Sequence, residues 1–489
     1  MKRISVVGFF LAACLCVPAA QSQQSPADQG TSTAATPEQP LPASATTSSG
    51  SSNDAGAAPA GRALMGSVGS DPSQGGTQPE ALPLSGAQQL GIPGTQLARY
   101  FDASALFSGS GDSDVIDAQG QPSWGANEVA GGQLTLDRSW GRNQFSLGYS
   151  GGGVFYQPSA QYPAATYQTL SLSQSFSWKR LTLRLLDSFS YSPNSLFGGA
   201  GAGGPGLLAQ EGPGSSSLNP TYGANNTILT GQARLLNNSA VGEIQYDLSG
   251  RSSFTVNGSY GVLDYIGGGY ISSRDYIVSG GYNYMLTAKD TLAVTYSMTQ
   301  TQYTGELENL NFQQVNVAYS HQVNGRLVFQ IAAGPEFIAY HDYVPSVGDS
   351  LTWSLTAGVQ YRLRRTDFGA NYSHGANAGS GVFLGSISDT ATGNVSHQFS
   401  RFLSGVVTVG YSLNSGLGNT VGVANQYHNW FTGASLSRQL GRRAQLSFNY
   451  GAQEQPYGGV CPVSNCGTNR VVQTIGVSLG VHLHPLGAE

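Results

Sequence analysis

The sequence is poor in charged residues, and this scarcity excludes most soluble folds. Asp, Glu, Lys and Arg make up only 10% of its 489 residues, whereas a soluble domain carries roughly 25% and uses that charge to stay in solution. The formal net charge is −5, so the chain has no basic footprint for nucleic acid. We therefore expect that part of the surface of the folded protein does not face water.

Long apolar runs are also missing after the N-terminus. No later segment approaches the roughly 18 consecutive apolar residues that predict a transmembrane helix. If the protein enters a membrane, it must do so as β-strands, since only helices and closed barrels satisfy their backbone in lipid.

The first residues have the pattern of a secretory signal peptide, which we assign to residues 1–22. Two basic residues precede an apolar run over 4–17, and small residues follow it, so cleavage after Ala19 or after Ser22 fits equally. The run is too short to span a bilayer as a helix. An alternative is that Leu11 to Cys14 forms a lipobox with Cys14 acylated.

Residues 23–95 are rich in Gln, Ser, Pro, Ala and Gly and almost free of aromatic residues. Such a segment cannot bury enough apolar surface to offset its chain entropy. We predict a disordered linker there and a folded domain over 96–489.

Short runs of alternating polarity fill that domain. Phe254, Val256 and Tyr260 alternate with Thr255 and Asn257, and the same alternation returns over 353–362 and 474–483. A period of two predicts strands with two unlike faces. By itself it suits a soluble sandwich as well as a barrel.

The positions of the basic residues favour the barrel. They gather in eight short polar breaks: Arg142, Lys179 with Arg180, Arg251, Lys289, Arg326, Arg364 with Arg365, Arg401, and Arg442 with Arg443. Most breaks are roughly 38 residues apart, which is two strands of about 11 residues plus one short turn and one longer loop. With one more alternating run at each end of the domain, the count is about 18 strands. This number is even, as bacterial single-chain barrels require, and it places both termini on the periplasmic side.

Aromatic residues lie where two interfacial girdles are expected. Near the short breaks they are Trp140, Trp178, Phe399 and Phe402, and near the longer loops they are Phe155, Tyr156, Tyr303, Tyr340, Tyr343, Tyr427 and Trp430. We predict that both sets face the lipid interfaces.

Across residues 97–485 this pattern resembles the porin-like outer-membrane β-barrel proteins of Gram-negative bacteria. The resemblance implies an all-β, antiparallel up-and-down transmembrane barrel in the outer membrane, with the linker in the periplasm. It implies outer-membrane lipid, the barrel-assembly machinery and hydrophilic solutes as partners, and leaves a homotrimer open. The chain departs from the usual pattern in ending on His484 to Glu489 rather than on an aromatic residue.

No motif indicates catalysis, and we expect neither an enzyme nor a cofactor. The Gly-rich stretch at 198–206 lacks the Lys-Ser or Lys-Thr of a phosphate loop, and no nucleophile elbow or zinc-protease motif occurs. His482 and His484 share a strand face, but two ligands make a weak metal site, so we predict none. Cys461 and Cys466 are expected to close a small disulfide ring in the last outer loop, because an exported chain meets an oxidising compartment.

Strand parity predicts which polar side chains face the lumen, where function should be sought. The inward set, proposed as the solute path, is Arg184, Glu243, Gln245, Asp247, Glu336, Gln360, Arg362, Asn371 and Asn449. An alternative is that these charges pair with one another and only brace the wall. Most inward positions are uncharged, which favours a passive or weakly selective diffusion channel for small, neutral hydrophilic solutes. The alternatives are a polysaccharide export conduit, and a structural or adhesive barrel plugged by its 195–225 loop.

Overall fold

The barrel is built from eighteen antiparallel strands, seen in a computed structural model. The structure describes residues 100–116, 122–157, 164–192, 234–266, 271–304, 309–341, 349–377, 384–417, 426–441, 443–454 and 471–483. The strands are β1 (Tyr100–Ile116), β2 (Pro122–Trp140), β3 (Asn143–Gln157), β4 (Ala165–Ser177), β5 (Leu181–Ser192), β6 (Arg234–Ser249), β7 (Ser252–Ile266), β8 (Ser273–Met285), β9 (Asp290–Tyr303), β10 (Asn309–Asn324), β11 (Leu327–His341), β12 (Ser350–Arg362), β13 (Thr366–Asn377), β14 (Ser386–Ser400), β15 (Leu403–Gly416), β16 (Gln426–Leu440), β17 (Ala444–Glu454) and β18 (Val471–His482).

Each strand pairs with its neighbours in sequence, and the sheet closes on itself. β1 pairs with β2 along one edge and with β18 along the other, for example through Phe107 opposite Leu479. Closure gives each described strand a hydrogen-bonded neighbour on both sides, which is the condition for a sheet in lipid. The predicted all-β, up-and-down barrel of about 18 strands is confirmed.

The predicted short breaks are turns at one end of the barrel. The β2–β3, β6–β7, β10–β11 and β14–β15 connections are the tightest, with two residues each. The β2–β3 and β16–β17 connections each begin with a glycine in the left-handed region, Gly141 and Gly441. The longer connections lie at the opposite end. We name the two ends the short-turn end and the long-loop end; in barrels of this class they face the periplasm and the exterior. The signal peptide, the linker, Cys14, Cys461, Cys466 and His484 lie outside the described residues.

Burial in the barrel is the reverse of that in a soluble protein. In β7, Phe254 and Val256 are exposed on the outer surface, whereas Thr255 and Asn257 between them are buried. The same alternation puts polar side chains on the inner wall of the other strands. Within the described ranges, no helix is both long and apolar enough to cross a bilayer.

The aromatic prediction holds at one end and partly fails at the other. Trp140, Trp178, Phe399 and Phe402 are exposed on the outer surface beside the short turns, as expected of a girdle. Tyr303 and Tyr340 were wrongly predicted to face lipid, because their strand parity turns them inward.

These two tyrosines belong to an apolar group on the inner wall near the long-loop end. We name it the inner apolar cluster: Tyr303, Leu310, Phe312 and Ile338, with Ile271, Tyr340, Ala376, Leu384 and Leu417 packed against them. Leu310 and Ile338 are fully buried. Leu384 and Leu417 come from loop ends, so the chain folds inward there over the wall of β9 to β11.

Candidate functional site

The inner wall is the candidate site, because it is the surface that a solute in the lumen would meet. Every residue predicted to face the lumen lies at an inward position of its strand: Arg184, Glu243, Gln245, Asp247, Glu336, Gln360, Arg362, Asn371 and Asn449. Their role in a solute path stays a prediction. The structure brings some of them together and leaves others apart.

Four of them form a connected group on β5 and β6. Arg184 lies opposite Glu243 and forms a salt bridge with it through a charge-assisted hydrogen bond. The guanidinium also approaches Gln245 Oε1 at 3.4 Å, and the Gln245 amide donates to Asp247 Oδ1 at 3.3 Å. The Glu243 side chain is only 1% exposed, so its charge depends on Arg184 for compensation.

A second group lies at the short-turn end of β12 and β13. Arg362 Nε lies 3.3 Å from Asp367 Oδ1, and the Arg362 side chain is largely exposed. A pair this open contributes little to stability because water screens it. Gln360 lies on the same inward face of β12, and Asn371 lies opposite Gly358.

Two predicted residues stand apart from these groups. Glu336 of β11 is buried and accepts a hydrogen bond at Oε2 from the backbone N–H of Ala376, 2.9 Å away. Asn449 of β17 lies between Ser435 and Gly476 of the neighbouring strands. No single constellation therefore joins all nine.

Sequence reasoning missed three inward acids: Asp137, Asp275 and Asp367. Asp275 is almost fully buried and accepts a hydrogen bond from Thr301 Oγ1 at 2.6 Å. The signal was present, because Asp275 alternates with the outward Tyr276 in β8 just as Thr255 does with Phe254 in β7.

The described inner wall carries more acidic than basic groups. Its acids are Asp137, Glu243, Asp247, Asp275, Glu336 and Asp367, and its bases are Arg184 and Arg362. Both bases are already paired with acids, so the wall offers no free cation to attract an anion. Within the described residues, no three His, Cys, Asp or Glu side chains are arranged to hold a metal ion.

On the outer surface, a polar cluster marks the short-turn end of β9 and β10. Asp290, the first residue of β9, accepts hydrogen bonds from Thr287, from the Tyr319 hydroxyl at 2.7 Å and from His321 Nδ1 at 2.6 Å. Polar groups suit this position, because the short-turn end of the barrel lies next to water.

A closed ring of strands, an apolar outer surface and a polar inner wall together define a transmembrane β-barrel of the outer-membrane type.

Comparison with solved structures returns barrels of distant sequence. OpdQ of Pseudomonas aeruginosa is 11% identical, with 79% of this chain and 98% of that chain covered and a TM-score of 0.41. OccK2 (OpdF) of the same species, solved in complex with glucuronate, is 9% identical, with 79% and 98% covered and a TM-score of 0.42. A BenF-like porin from Pseudomonas fluorescens Pf-5 is 10% identical, with 78% and 98% covered and a TM-score of 0.40. No protein-family model and no curated protein sequence matches the chain.

Proposed function

We propose that the barrel is a passive, weakly selective diffusion channel for small hydrophilic solutes, chiefly neutral ones. The observation that carries this proposal is the inner wall, where Ser, Thr and Asn side chains repeat from strand to strand behind an apolar outer surface. Such a wall offers hydrogen bonds to solutes without a strong electric field.

The inward charges support weak selectivity because most are engaged within the wall. Arg184 pairs with Glu243, and Arg362 pairs with Asp367. Asp275 and Glu336 are buried and accept hydrogen bonds from Thr301 and from the Ala376 backbone. The excess of acids predicts a mild preference for cations over anions and no barrier to sugars.

Reconstitution in a planar bilayer tests the proposal. Under a KCl gradient, the reversal potential should show a small cation preference, and liposomes carrying the barrel should swell in isotonic neutral sugars. Asp247→Asn removes an exposed inward charge and should shift the reversal potential toward zero.

Asp264→Asn is the matched control, because Asp264 lies on the outward face of β7 and the same charge change there should leave the reversal potential unchanged. A barrel that inserts but neither conducts ions nor passes sugars would contradict the channel and favour a plugged, structural barrel. A strong anion preference would contradict the proposed solute class.

A further inference from the structure

Among the described residues, β12 and β13 share the shortest ladder of any two neighbouring strands. This ladder runs only from Arg362 opposite Asp367 to Leu355 opposite His374. Both strands continue toward the long-loop end, β12 to Ser350 and β13 to Asn377, while each stays paired with its other neighbour. We name residues 350–354 and 375–377 the seam.

Side chains, rather than a backbone ladder, hold the seam together. On the inner side the Glu336 carboxylate reaches from β11 past β12 to accept the hydrogen bond of the Ala376 N–H on β13. On the outer side the Trp353 ring of β12 stacks on the His374 ring of β13, with centroids 3.9 Å apart. His374 is held in turn by Asp389 Oδ1, which is 2.8 Å from its Nδ1.

Such a seam can part without breaking the strand ladders that keep the barrel closed. A local opening costs least where few backbone hydrogen bonds are lost. The ring stack and the Glu336 hydrogen bond are among the contacts that such an opening would separate.

Apolar surface lies on both sides of the seam. Ala376 of the seam packs against the inner apolar cluster, which lies on the inner wall. On the outer side Leu351 and Trp353 are exposed at 74% and 50% on the surface that faces lipid. An apolar chain that moved through the seam would thus leave one apolar surface for another.

We propose that the β12–β13 seam is a lateral portal through which a neutral, single-chain amphiphile moves from the lumen into the outer leaflet. The apolar chain would follow the inner apolar cluster, and the polar headgroup would meet Glu336. The Glu336 carboxylate at the inner side repels an anionic headgroup, so a neutral headgroup suits the site better. The inference rests on the proposed channel, because the amphiphile must first enter a water-filled lumen.

A disulfide across the seam tests the portal. In a Cys461→Ser, Cys466→Ser background, Ser354→Cys with Gly375→Cys should form a bridge. A side-chain Cβ at 375 would lie 3.8 Å from that of Ser354, close to the Cβ separation of about 3.8 Å in disulfides. Thr356→Cys with Ser373→Cys is the matched control, an opposed pair on the same two strands inside the intact ladder.

Two readouts are taken on the oxidised and reduced forms of both variants. One is KCl conductance in planar bilayers. The other is transfer of a medium-chain monoacylglycerol with an environment-sensitive fluorophore into outer-membrane vesicles. Oxidation of the 354–375 pair should preserve conductance and lower transfer to the level of vesicles without the barrel, and reduction should restore it. The control pair should change neither.

Transfer that is the same in the oxidised and reduced 354–375 variant, with normal conductance, would overturn the portal and leave the channel standing. Equal losses with both disulfides, or parallel loss of conductance and transfer, would also overturn it, because the seam would then not be a separate route. Barrels that neither conduct nor transfer in any form would contradict the proposed channel, and the portal with it.

Discussion

The Arg184–Glu243 salt bridge is the residue pair on which the inner wall of β5 and β6 depends most. Arg184 is partly exposed to the lumen, whereas Glu243 is buried. Removing one partner of such a pair leaves a buried charge without compensation, which costs roughly 3 to 5 kcal/mol of stability. Replacing both partners with apolar residues is often neutral.

We predict that Arg184→Met lowers the free energy of unfolding by about 3 kcal/mol. The double variant Arg184→Met, Glu243→Leu should recover most of that loss, because no charge is then left buried. Urea unfolding in lipid vesicles, followed by tryptophan fluorescence, measures both values. If the double variant is as unstable as the single one, the loss comes from packing of the arginine stem and not from the stranded carboxylate.

Residue placement could be predicted where outward neighbours fix the parity of a strand. Arg184 lies between Leu183 and Leu185, and this alternation alone indicates that it faces inward. Tyr303 was assigned to the wrong face because an aromatic residue near a strand end suits an interface or an inner cluster equally well. The hydrogen bond from Ala376 to Glu336 could not be predicted, since it joins residues forty positions apart across a strand.

At the scale of the strand, the two faces should tolerate charge very differently. Val409 is exposed on the outer face near the middle of β15, and the adjacent Thr408 faces inward. A base at the bilayer midplane costs about 2 to 4 kcal/mol, whereas substitutions in the lumen change selectivity instead.

Val409→Lys should therefore lower the free energy of unfolding by about 2 to 4 kcal/mol. Thr408→Lys, one residue away, should leave it nearly unchanged and shift the KCl reversal potential toward anions. Guanidinium unfolding and planar-bilayer recording provide the two measurements. Equal stability losses at both positions would mean that β15 does not separate lipid from lumen as its burial pattern indicates.

The turns of the barrel could be predicted from sequence, but the seam could not. Basic residues recur at every short turn because that end needs polar, charged groups next to water. No residue type in the sequence indicates that the β12–β13 ladder stops before the two strands end. It depends on how far each strand follows its other neighbour, which is a property of the whole sheet.

At the scale of the whole molecule, closure is the condition on which the fold depends. β18 pairs with β17 and with β1, so it is the strand that joins the two ends of the sheet. Each backbone polar group left without a partner in hydrocarbon costs several kcal/mol. An open sheet of the other strands would expose two unpaired edges to lipid.

Deletion of residues 471–489 should therefore abolish the folded barrel, whereas deletion of residues 23–95 should leave it intact. The described strands β1 to β18 pair with one another all the way round the ring, and the linker is predicted to be disordered. The measurement is the heat-dependent shift in gel mobility of the protein inserted in vesicles, together with its resistance to protease. A shortened chain that lacks β18 and yet runs as a compact, protease-resistant species would show that a smaller ring can close through β1 and β17. Loss of the compact species on removal of 23–95 would show instead that the linker is required for assembly, against its assignment as a disordered spacer.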